Sequence, residues 1–314
     1  MKLLVIGHSV EDHIISGENE IIKPGGIHYT ASALTSVCHL RACPQERESG
    51  DPISVCHPCE SRDPMITSND HVYLCTSAEK ENYHLFSDVY NLCEPDFIQF
   101  SGAIPKVLLT SHGEKEREEQ YKNISGNLEL PFDRLHEFDA ILINMITGFD
   151  LKLEQLIKIR QNFRGIIYMD VHTLSRGLGH HGHRGFRQID NFTGWAECVD
   201  IIQVNEYEIK TLSEKTTDDE IALDILTCGT KQIIVTKGAL GARVFYLQNG
   251  ELNSIFISAA KICAVNKIGL GDVFGAVYFY NYIKTGDLFS SLEKSVTASG
   301  LAAEQTDLTK LKNL

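Results

Sequence analysis

The sequence contains no uninterrupted apolar run long enough to span a bilayer, which argues against a chain built around transmembrane helices. Positive charge is also scarce: 29 lysines and arginines stand against 42 aspartates and glutamates, giving a formal net charge of −13. This balance argues against nucleic acid or an anionic membrane surface as a main partner. It does not exclude a phosphorylated substrate, because glycine loops and a metal ion can bind phosphate in an acidic protein.

A secretion signal is not evident either, since the apolar start of the sequence is short and leads at once into polar residues. The nine cysteines are scattered and odd in number, so we expect mostly reduced thiols in a cytoplasmic protein. Cys56 and Cys59 have the spacing of half a zinc site. Cys38 and Cys43 are more widely spaced than in most zinc knuckles, which favours loop thiols and leaves a metal open.

The pattern of apolar residues predicts one large α/β domain. Lys2–Ile6 is a compact run typical of a buried first strand, and no Gly-x-Gly-x-x-Gly follows it, which argues against a nucleotide-dependent dehydrogenase. Residues 41–71 have no clear period and are interpreted as loop. Three short strand-like runs follow: His71–Cys75, Phe97–Phe100 and Lys106–Thr110. A regular alternation of strands and helices comes next. Its predicted strands are Ala140–Asn144, Ile166–Val171, Ile201–Val204 and Ile233–Thr236, and its predicted helices are Leu151–Phe163, Asp218–Cys228 and Leu292–Glu304.

The most informative stretch is Gly269-Leu270-Gly271-Asp272, directly before an apolar segment of helical spacing. A helix start offers unpaired backbone N–H groups, and glycines let that backbone approach an anion closely, which suits phosphate. A carboxylate such as Asp272 cannot bind the anion, but it can take a proton from a hydroxyl that attacks the phosphate. The alternative is an ordinary N-cap aspartate after a glycine turn.

With Gly25 and Gly26 near its start, the chain resembles the ribokinase (PfkB-type) carbohydrate kinase family, and its short stretch between Asp12 and Gly25 is similar to the short-lid members. The resemblance implies a ribokinase-like three-layer α/β/α sandwich with a mostly parallel central sheet. It implies a single kinase domain over residues 1–314. A small β lid is expected from segments within about residues 12–24 and 72–125.

The resemblance also implies the roles of individual residues. Gly269, Leu270 and Gly271 would form the anion hole, with Asp272 as catalytic base. Asp12, Gly25, Gly26 and Thr30 would hold the acceptor, with Thr30 at a position where the family commonly has asparagine. The residues expected to bind ATP are Asn205, Thr236, Gly238, Gly241 and Ala298, with Glu208 organising Mg²⁺ through water.

Each donor-side residue also has a structural interpretation. Asn205 and Glu208 could form a capping box at a helix start. Gly238 and Gly241 could belong to a plain hairpin turn, and Ala298 could serve core packing. Polar residues that we assign no firm role follow the strand that ends near Asp170: Arg176, His180, His181 and His183.

One departure from the family pattern precedes the glycine motif. Asn266 and Lys267 stand where the family usually has Asp-Thr, which weakens the expectation of K⁺ activation, while Lys267 could add positive charge near the phosphates.

The leading hypothesis is an ATP-dependent phosphotransferase that acts on a hydroxyl of a small molecule: a sugar, polyol or nucleoside. The alternative is a catalytically weak ligand-binding or regulatory protein on the same fold, since fold does not fix function. We expect a small-molecule acceptor and no nucleic-acid or membrane partner, and the resemblance is compatible with a homodimer.

Overall fold

The computed structural model describes residues 1–16, 19–38, 69–100, 102–110, 118–306 and 308. Its strands are β1 (Lys2–Ile6), β2 (Ser9–Ser16), β3 (Asn19–Gly26), β4 (His71–Ala78), β5 (Ile98–Phe100), β6 (Lys106–Thr110), β7 (Glu118–Asn123), β8 (Ala140–Asn144), β9 (Ile166–Asp170), β10 (Arg176–Leu178), β11 (Arg184–Phe186), β12 (Ile201–Asn205), β13 (Gln232–Thr236), β14 (Gly241–Gln248) and β15 (Glu251–Ser258). Its α-helices are α1 (Ile27–Cys38), α2 (Ser87–Tyr90), α3 (Leu153–Asn162), α4 (Phe192–Ala196), α5 (Asp218–Leu226), α6 (Leu270–Thr285) and α7 (Leu288–Ala303).

Nine strands form the central sheet in the order β15-β14-β13-β12-β9-β8-β1-β4-β5. All neighbours from β13 to β5 are parallel, and only β14 and β15 add antiparallel pairs at one edge. Apolar runs such as Ala140–Asn144 are buried along their whole length, because parallel strands are covered on both faces. The predicted alternation of strands and helices in the second half is confirmed, with element ends displaced by a few residues.

Helices cover both faces of this sheet, which confirms the three-layer α/β/α prediction. On one face, α1, α6 and α7 bury apolar side chains such as Leu34, Phe274 and Leu292. On the other face, α3, α4 and α5 contribute side chains such as Ile159 and Trp195 to a second core. Among the described residues, no helix is both long and apolar enough to cross a membrane.

A separate four-stranded sheet has the order β3-β2-β6-β7. The expected lid range of residues 72–125 is therefore wrong in part. The run His71–Cys75 lies in β4, and Ile98–Phe100 of the run Phe97–Phe100 forms β5, and both strands pair in the central sheet, whereas β6 and β7 belong to the four-stranded one. Both runs have the apolar character of strands, but pairing partners are not encoded in a local pattern. The four strands β3, β2, β6 and β7 form the small sheet.

The carboxyl end of α6 is tied to the chain just before β4 through Asp70. This buried carboxylate accepts a hydrogen bond from Tyr280 Oη at 2.8 Å and pairs with Lys284 Nζ at 2.8 Å and with the amino group of Met1. Burial alone would raise the pKa of Asp70, but the bonds from Lys284, Met1 and Tyr280 lower it to about 2. The carboxylate therefore stabilises the position of α6 while it is ionised.

We predict that Asp70→Asn lowers stability by about 2 kcal/mol at neutral pH, because the pKa of Asp70 lies about two units below its unfolded value. A depressed carboxylate pKa contributes stability above pH 4 that is lost as the pH falls toward 2. The melting temperatures of parent and variant should thus differ at pH 7 and converge between pH 4 and 2. A difference that stays constant across this range would contradict the ion-pair account.

Candidate active site

A cavity lies between the small sheet and the start of α6. The residues that line it are Val10, Asp12, Gly26, Tyr29, Val107, Leu109, Glu119, Tyr121, Ile146, His172, Ile268, Gly269 and Asp272. Apolar side chains line it together with three carboxylates, which reach it from β2, β7 and α6. Such a combination suits a small polar molecule that is held by a few directed hydrogen bonds.

The glycine motif forms the turn into α6. Gly269 has a left-handed backbone with φ 76°, and a Cβ at this position would lie 2.6 Å from the Tyr29 ring. The helix begins at Leu270, so its first unpaired N–H groups come from the predicted anion hole. Asp272 lies in the first turn and Gly269 is the N-cap, so the alternative of an N-cap aspartate is wrong.

The Asp272 carboxylate is held by two neighbours. Asn144 Nδ2 donates to Asp272 Oδ1 at 2.5 Å and to Thr30 Oγ1 at 3.1 Å, and the Thr30 hydroxyl lies 3.4 Å from the same Asp272 oxygen. The structure thus brings Thr30, expected near the acceptor, directly to the expected base. Asn144 was not identified as a site residue from the sequence, although an asparagine that ends an apolar strand was a usable signal.

On the acceptor side, Asp12 is a buried residue of β2, directly opposite the strand that carries Gly25 and Gly26. A Cβ at Gly25 would collide with the Asp12 carboxylate, and Gly26 has φ 64°. Both glycines are therefore required by local geometry. Glu119 on β7 is a second buried carboxylate of the cavity that the sequence analysis did not single out.

On the donor side, Asn205 and Thr236 are register partners at the carboxyl ends of β12 and β13. Asn205 Oδ1 accepts from the backbone N–H groups of Tyr207 and Glu208, both at 2.9 Å, and Glu208 Oε2 accepts from Asn205 N–H at 2.9 Å. This reciprocal pair is the capping-box arrangement considered from the sequence. It fixes both side chains at this edge of the sheet.

The remaining donor-side residues differ in character. Gly238 and Gly241 have φ values of 52° and 118° and form the turn between β13 and β14, so the hairpin interpretation describes their backbone. Ala298 is 1% exposed and belongs to the core between α7 and the sheet, which favours its packing interpretation. Lys267 is exposed in the segment before the glycine turn, and Asn266 Oδ1 accepts from Ile268 N–H at 3.0 Å.

Asp170 ends β9 and adds a further buried carboxyl group to this region. Burial raises the pKa of Asp170 well above its ordinary value, and the negative charges of Glu208 and Asp272 raise it further. Repulsion from the Glu208 and Asp272 charges thus favours the neutral form of Asp170. A cation would relieve this repulsion, and the donors here are oxygen atoms, which suits Mg²⁺.

Direct coordination of a metal by protein alone is not built into the described residues, because no group of three or more His, Cys, Asp or Glu side chains is arranged to hold an ion. The donor set therefore fits an ion held mainly by water and phosphate oxygens. Of the cysteines considered for zinc, Cys43, Cys56 and Cys59 lie outside the described residues. Cys38 is buried, and burial raises its pKa to about 12.

The histidine-rich run forms the tip of the β10–β11 hairpin, which contacts the small sheet. Gln120 of β7 donates from Nε2 to the carbonyl of His181 at 2.8 Å. Arg184 of the same hairpin donates to the carbonyls of Thr147 and Thr173, both at 2.9 Å. The hairpin thus joins β7 to the carboxyl edge of the central sheet. The contacts found around these histidines are structural ones.

Comparisons with known proteins agree with this geometry. Residues 186–312 match the model of the pfkB family carbohydrate kinases. The structure is similar to a pyrophosphate-dependent kinase in the ribokinase family, with TM-score 0.71, 14% identity and coverage of 96% of this chain and 95% of that one. It is also similar to Arabidopsis thaliana ribokinase complexed with ribose and ATP, with TM-score 0.70, 13% identity and coverage of 99% and 95%.

A third similar structure is a putative ribokinase II from E. coli in complex with ATP and Mg²⁺, with TM-score 0.68, 16% identity and coverage of 98% and 94%. At these identities the structural matches establish the fold, which extends over nearly the whole chain, while the family match covers its C-terminal part. The C-terminal part of the chain thus matches the pfkB family carbohydrate kinase model, and the chain as a whole has a ribokinase-like fold.

Proposed function

We propose that this protein transfers a phosphoryl group from ATP to a hydroxyl of a small sugar, polyol or nucleoside, with Asp272 as the general base. The observation that carries the proposal is the position of Asp272: its carboxylate lines the cavity while it lies in the first turn of α6. A hydroxyl bound in the cavity can thus meet a base and an anion-binding helix start at the same point.

In the proposed reaction, Asp272 takes the proton as the acceptor oxygen attacks the transferring phosphoryl group. Asn144 and Thr30 hold the carboxylate in place, which reduces the reorganisation that the reaction requires. Backbone N–H groups at Gly269, Leu270 and Gly271 stabilise the charge on the phosphoryl oxygens. These groups are fixed before substrate binds, since they belong to the helix start.

We assign acceptor binding to Asp12 on β2 and Glu119 on β7 of the small sheet. An ionised carboxylate accepts several hydrogen bonds, so two of them can hold neighbouring hydroxyl groups of one acceptor. Gly25 keeps the space beside Asp12 open for its carboxylate. This arrangement favours a polyhydroxylated acceptor.

We assign the donor to the edge formed by Asn205, Glu208, Thr236, Gly238 and Gly241, with Mg²⁺ held by Glu208 through water. The ion, when bound, neutralises phosphate oxygens of the donor. The similar E. coli structure contains ATP and Mg²⁺, whereas another similar kinase is pyrophosphate-dependent. The donor therefore has to be tested with Mg-ATP and with pyrophosphate.

The experiment that tests the proposal measures ADP release from ATP over a panel of sugars, inositols and nucleosides, and phosphate release when pyrophosphate replaces ATP. Phosphorylation of one acceptor with ATP supports the proposal, and turnover with pyrophosphate alone would overturn the assigned donor. Tight binding of an acceptor without transfer from either donor would favour the regulatory alternative.

We predict that Asp272→Asn lowers kcat by at least about 100-fold, because general-base catalysis typically contributes 10²–10⁴-fold. Asparagine keeps the oxygen that accepts from Asn144, so folding and donor binding should be nearly unchanged. Asp287→Asn, at the start of α7 and outside the cavity, is the matched control. Near-parental kcat in a folded Asp272→Asn variant would contradict the assignment.

We predict that Glu119→Gln raises the acceptor KM by about tenfold, because a hydrogen bond to a charged group contributes roughly 1.5–3 kcal/mol. Glu118→Gln is the matched control, since Glu118 is the exposed neighbour on the same strand. Steady-state kinetics with varied acceptor at saturating donor measure the effect. If the two variants have equal KM values, Glu119 does not bind the acceptor.

For Glu208, we predict that Glu208→Gln shifts the Mg²⁺ concentration required for half-maximal activity upward by several-fold, since the charge that attracts the hydrated ion is lost. Glutamine keeps an oxygen that can accept from Asn205 N–H, so a purely capping role would leave activity intact. Glu206→Gln, exposed in the same turn, is the control. An unchanged Mg²⁺ titration would leave Glu208 with the structural role alone.

A further inference from the structure

A glutamine of the central sheet makes a hydrogen bond to the glycine turn at the start of α6. Gln203 is 3% exposed and lies in the otherwise apolar part of β12. Its Nε2 donates to the carbonyl of Gly271 at 3.0 Å and to Asp170 Oδ2 at 3.0 Å, and its Oε1 accepts from Tyr168 Oη at 2.5 Å. Every polar atom of this side chain is thus used, and one of its bonds reaches the proposed anion hole.

The facing surface of α6 leaves room for this side chain. A Cβ at Gly275 would lie 2.7 Å from Gln203 Oε1 and 3.3 Å from Tyr168 Oη. Gly275 lies inside a buried helix, where glycine is otherwise unfavourable, so its absence of a side chain has a steric reason here. The helix and the strand are therefore fitted to each other around Gln203.

The bond to Gly271 determines the orientation of one particular peptide group. The carbonyl of Gly271 and the N–H of Asp272 belong to the same planar peptide unit, so fixing the oxygen also fixes the direction of that N–H group. Gly271 lies in the first turn of α6, so the helix already restrains this peptide in part, although glycine permits more backbone conformations than any other residue. The hydrogen bond from Gln203 adds a restraint from outside the helix.

We propose that Gln203 is a positioning residue for phosphoryl transfer: it orients the Gly271–Asp272 peptide so that the start of α6 and the Asp272 side chain meet the transferring group in one fixed geometry. This inference rests on the proposed function. Its effect should be on the transition state, in which the phosphoryl charge is spread and the alignment is most demanding. Ground-state binding of donor and acceptor should change little.

The fold contains a matched structural counterpart in Gln232. This residue is 4% exposed on the neighbouring strand β13, and its Oε1 accepts from Tyr278 Oη of α6 at 2.6 Å. It therefore makes the same kind of buried tyrosine–glutamine bond and also restrains α6. Its hydrogen bond reaches the middle of α6 and not the glycine turn, so it does not contact the Gly271–Asp272 peptide.

The test compares Gln203→Met with Gln232→Met, since methionine has a similar length and no amide. We expect both variants to melt at lower temperatures, because each loses a buried hydrogen bond. Only Gln203→Met should lose kcat, by about tenfold or more, with both KM values within about twofold of the parent. Equal losses of kcat in the two variants, or none in Gln203→Met, would overturn the proposal.

A second readout follows the transition state directly. Fluoroaluminate bound with Mg-ADP and acceptor imitates the transferring phosphoryl group, so it should tighten ADP binding in the parent and in Gln232→Met. We expect this tightening to fall by tenfold or more in Gln203→Met, while the affinity for Mg-ADP alone is unchanged. Tightening of parental size in Gln203→Met would overturn the proposal even if kcat had fallen.

Two further experiments apply if Gln203→Met does not fold or if the proposed function is wrong. If Gln203→Met does not fold, Tyr168→Phe and Tyr278→Phe form the corresponding pair, each removing one hydroxyl from a buried glutamine. If the parent transfers phosphate to no acceptor, inorganic sulfate serves as the probe in calorimetric titrations. Weaker sulfate binding by at least about fivefold in Gln203→Met, but not in Gln232→Met, supports the positioning role, and equal affinities overturn it.

Discussion

The hydrogen bond between Asn144 and Asp272 joins the two parts on which the site depends, the carboxyl edge of the central sheet and the start of α6. It is short, at 2.5 Å, and its donor Asn144 is 1% exposed. Asp70 holds the carboxyl end of α6, and Gln203 makes a hydrogen bond to its first turn. A carboxylate fixed in this way keeps its place at the cavity before any ligand arrives, which is the condition for efficient general-base catalysis.

Electrostatic repulsion among neighbouring carboxyl groups is the second constraint on the site. Asp170, Glu208 and Asp272 influence one another electrostatically, and the pKa of Asp170 is raised well above its ordinary value by burial and by those two charges. A triphosphate would add further negative charge to this region. The backbone N–H groups at the start of α6 and a hydrated divalent ion can balance it, which is why the proposed reaction assigns both to the donor side.

Local sequence patterns predicted the parts of this molecule that local chemistry determines. Apolar runs such as Ala140–Asn144 and Ile201–Val204 identified the buried strands, and the Gly269–Asp272 motif identified the turn into α6. The resemblance to ribokinases supplied the three-layer arrangement. The capping contacts of Asn205 and Glu208 also matched an interpretation available from their spacing.

What the sequence did not reveal depends on contacts between distant segments. The run His71–Cys75 was recognised as a strand, but the pairing of β4 with β1 in the central sheet was not, because a buried apolar run carries no record of its partner. Glu119, Asn144 and Gln203 are ordinary polar residues in sequence. They become candidates only when β7, β8 and β12 bring them to the cavity, to Asp272 and to Gly271.

The account's central claim is that acceptor and donor meet at the start of α6. A crystal structure of the protein with Mg²⁺, a non-hydrolysable ATP analogue and the best acceptor tests it most directly. The account predicts an acceptor hydroxyl within about 2.6–3.2 Å of an Asp272 oxygen, with the terminal phosphate of the analogue against the backbone N–H groups of Gly269–Gly271. An acceptor bound away from Asp272, or a terminal phosphate away from this turn, would contradict the account.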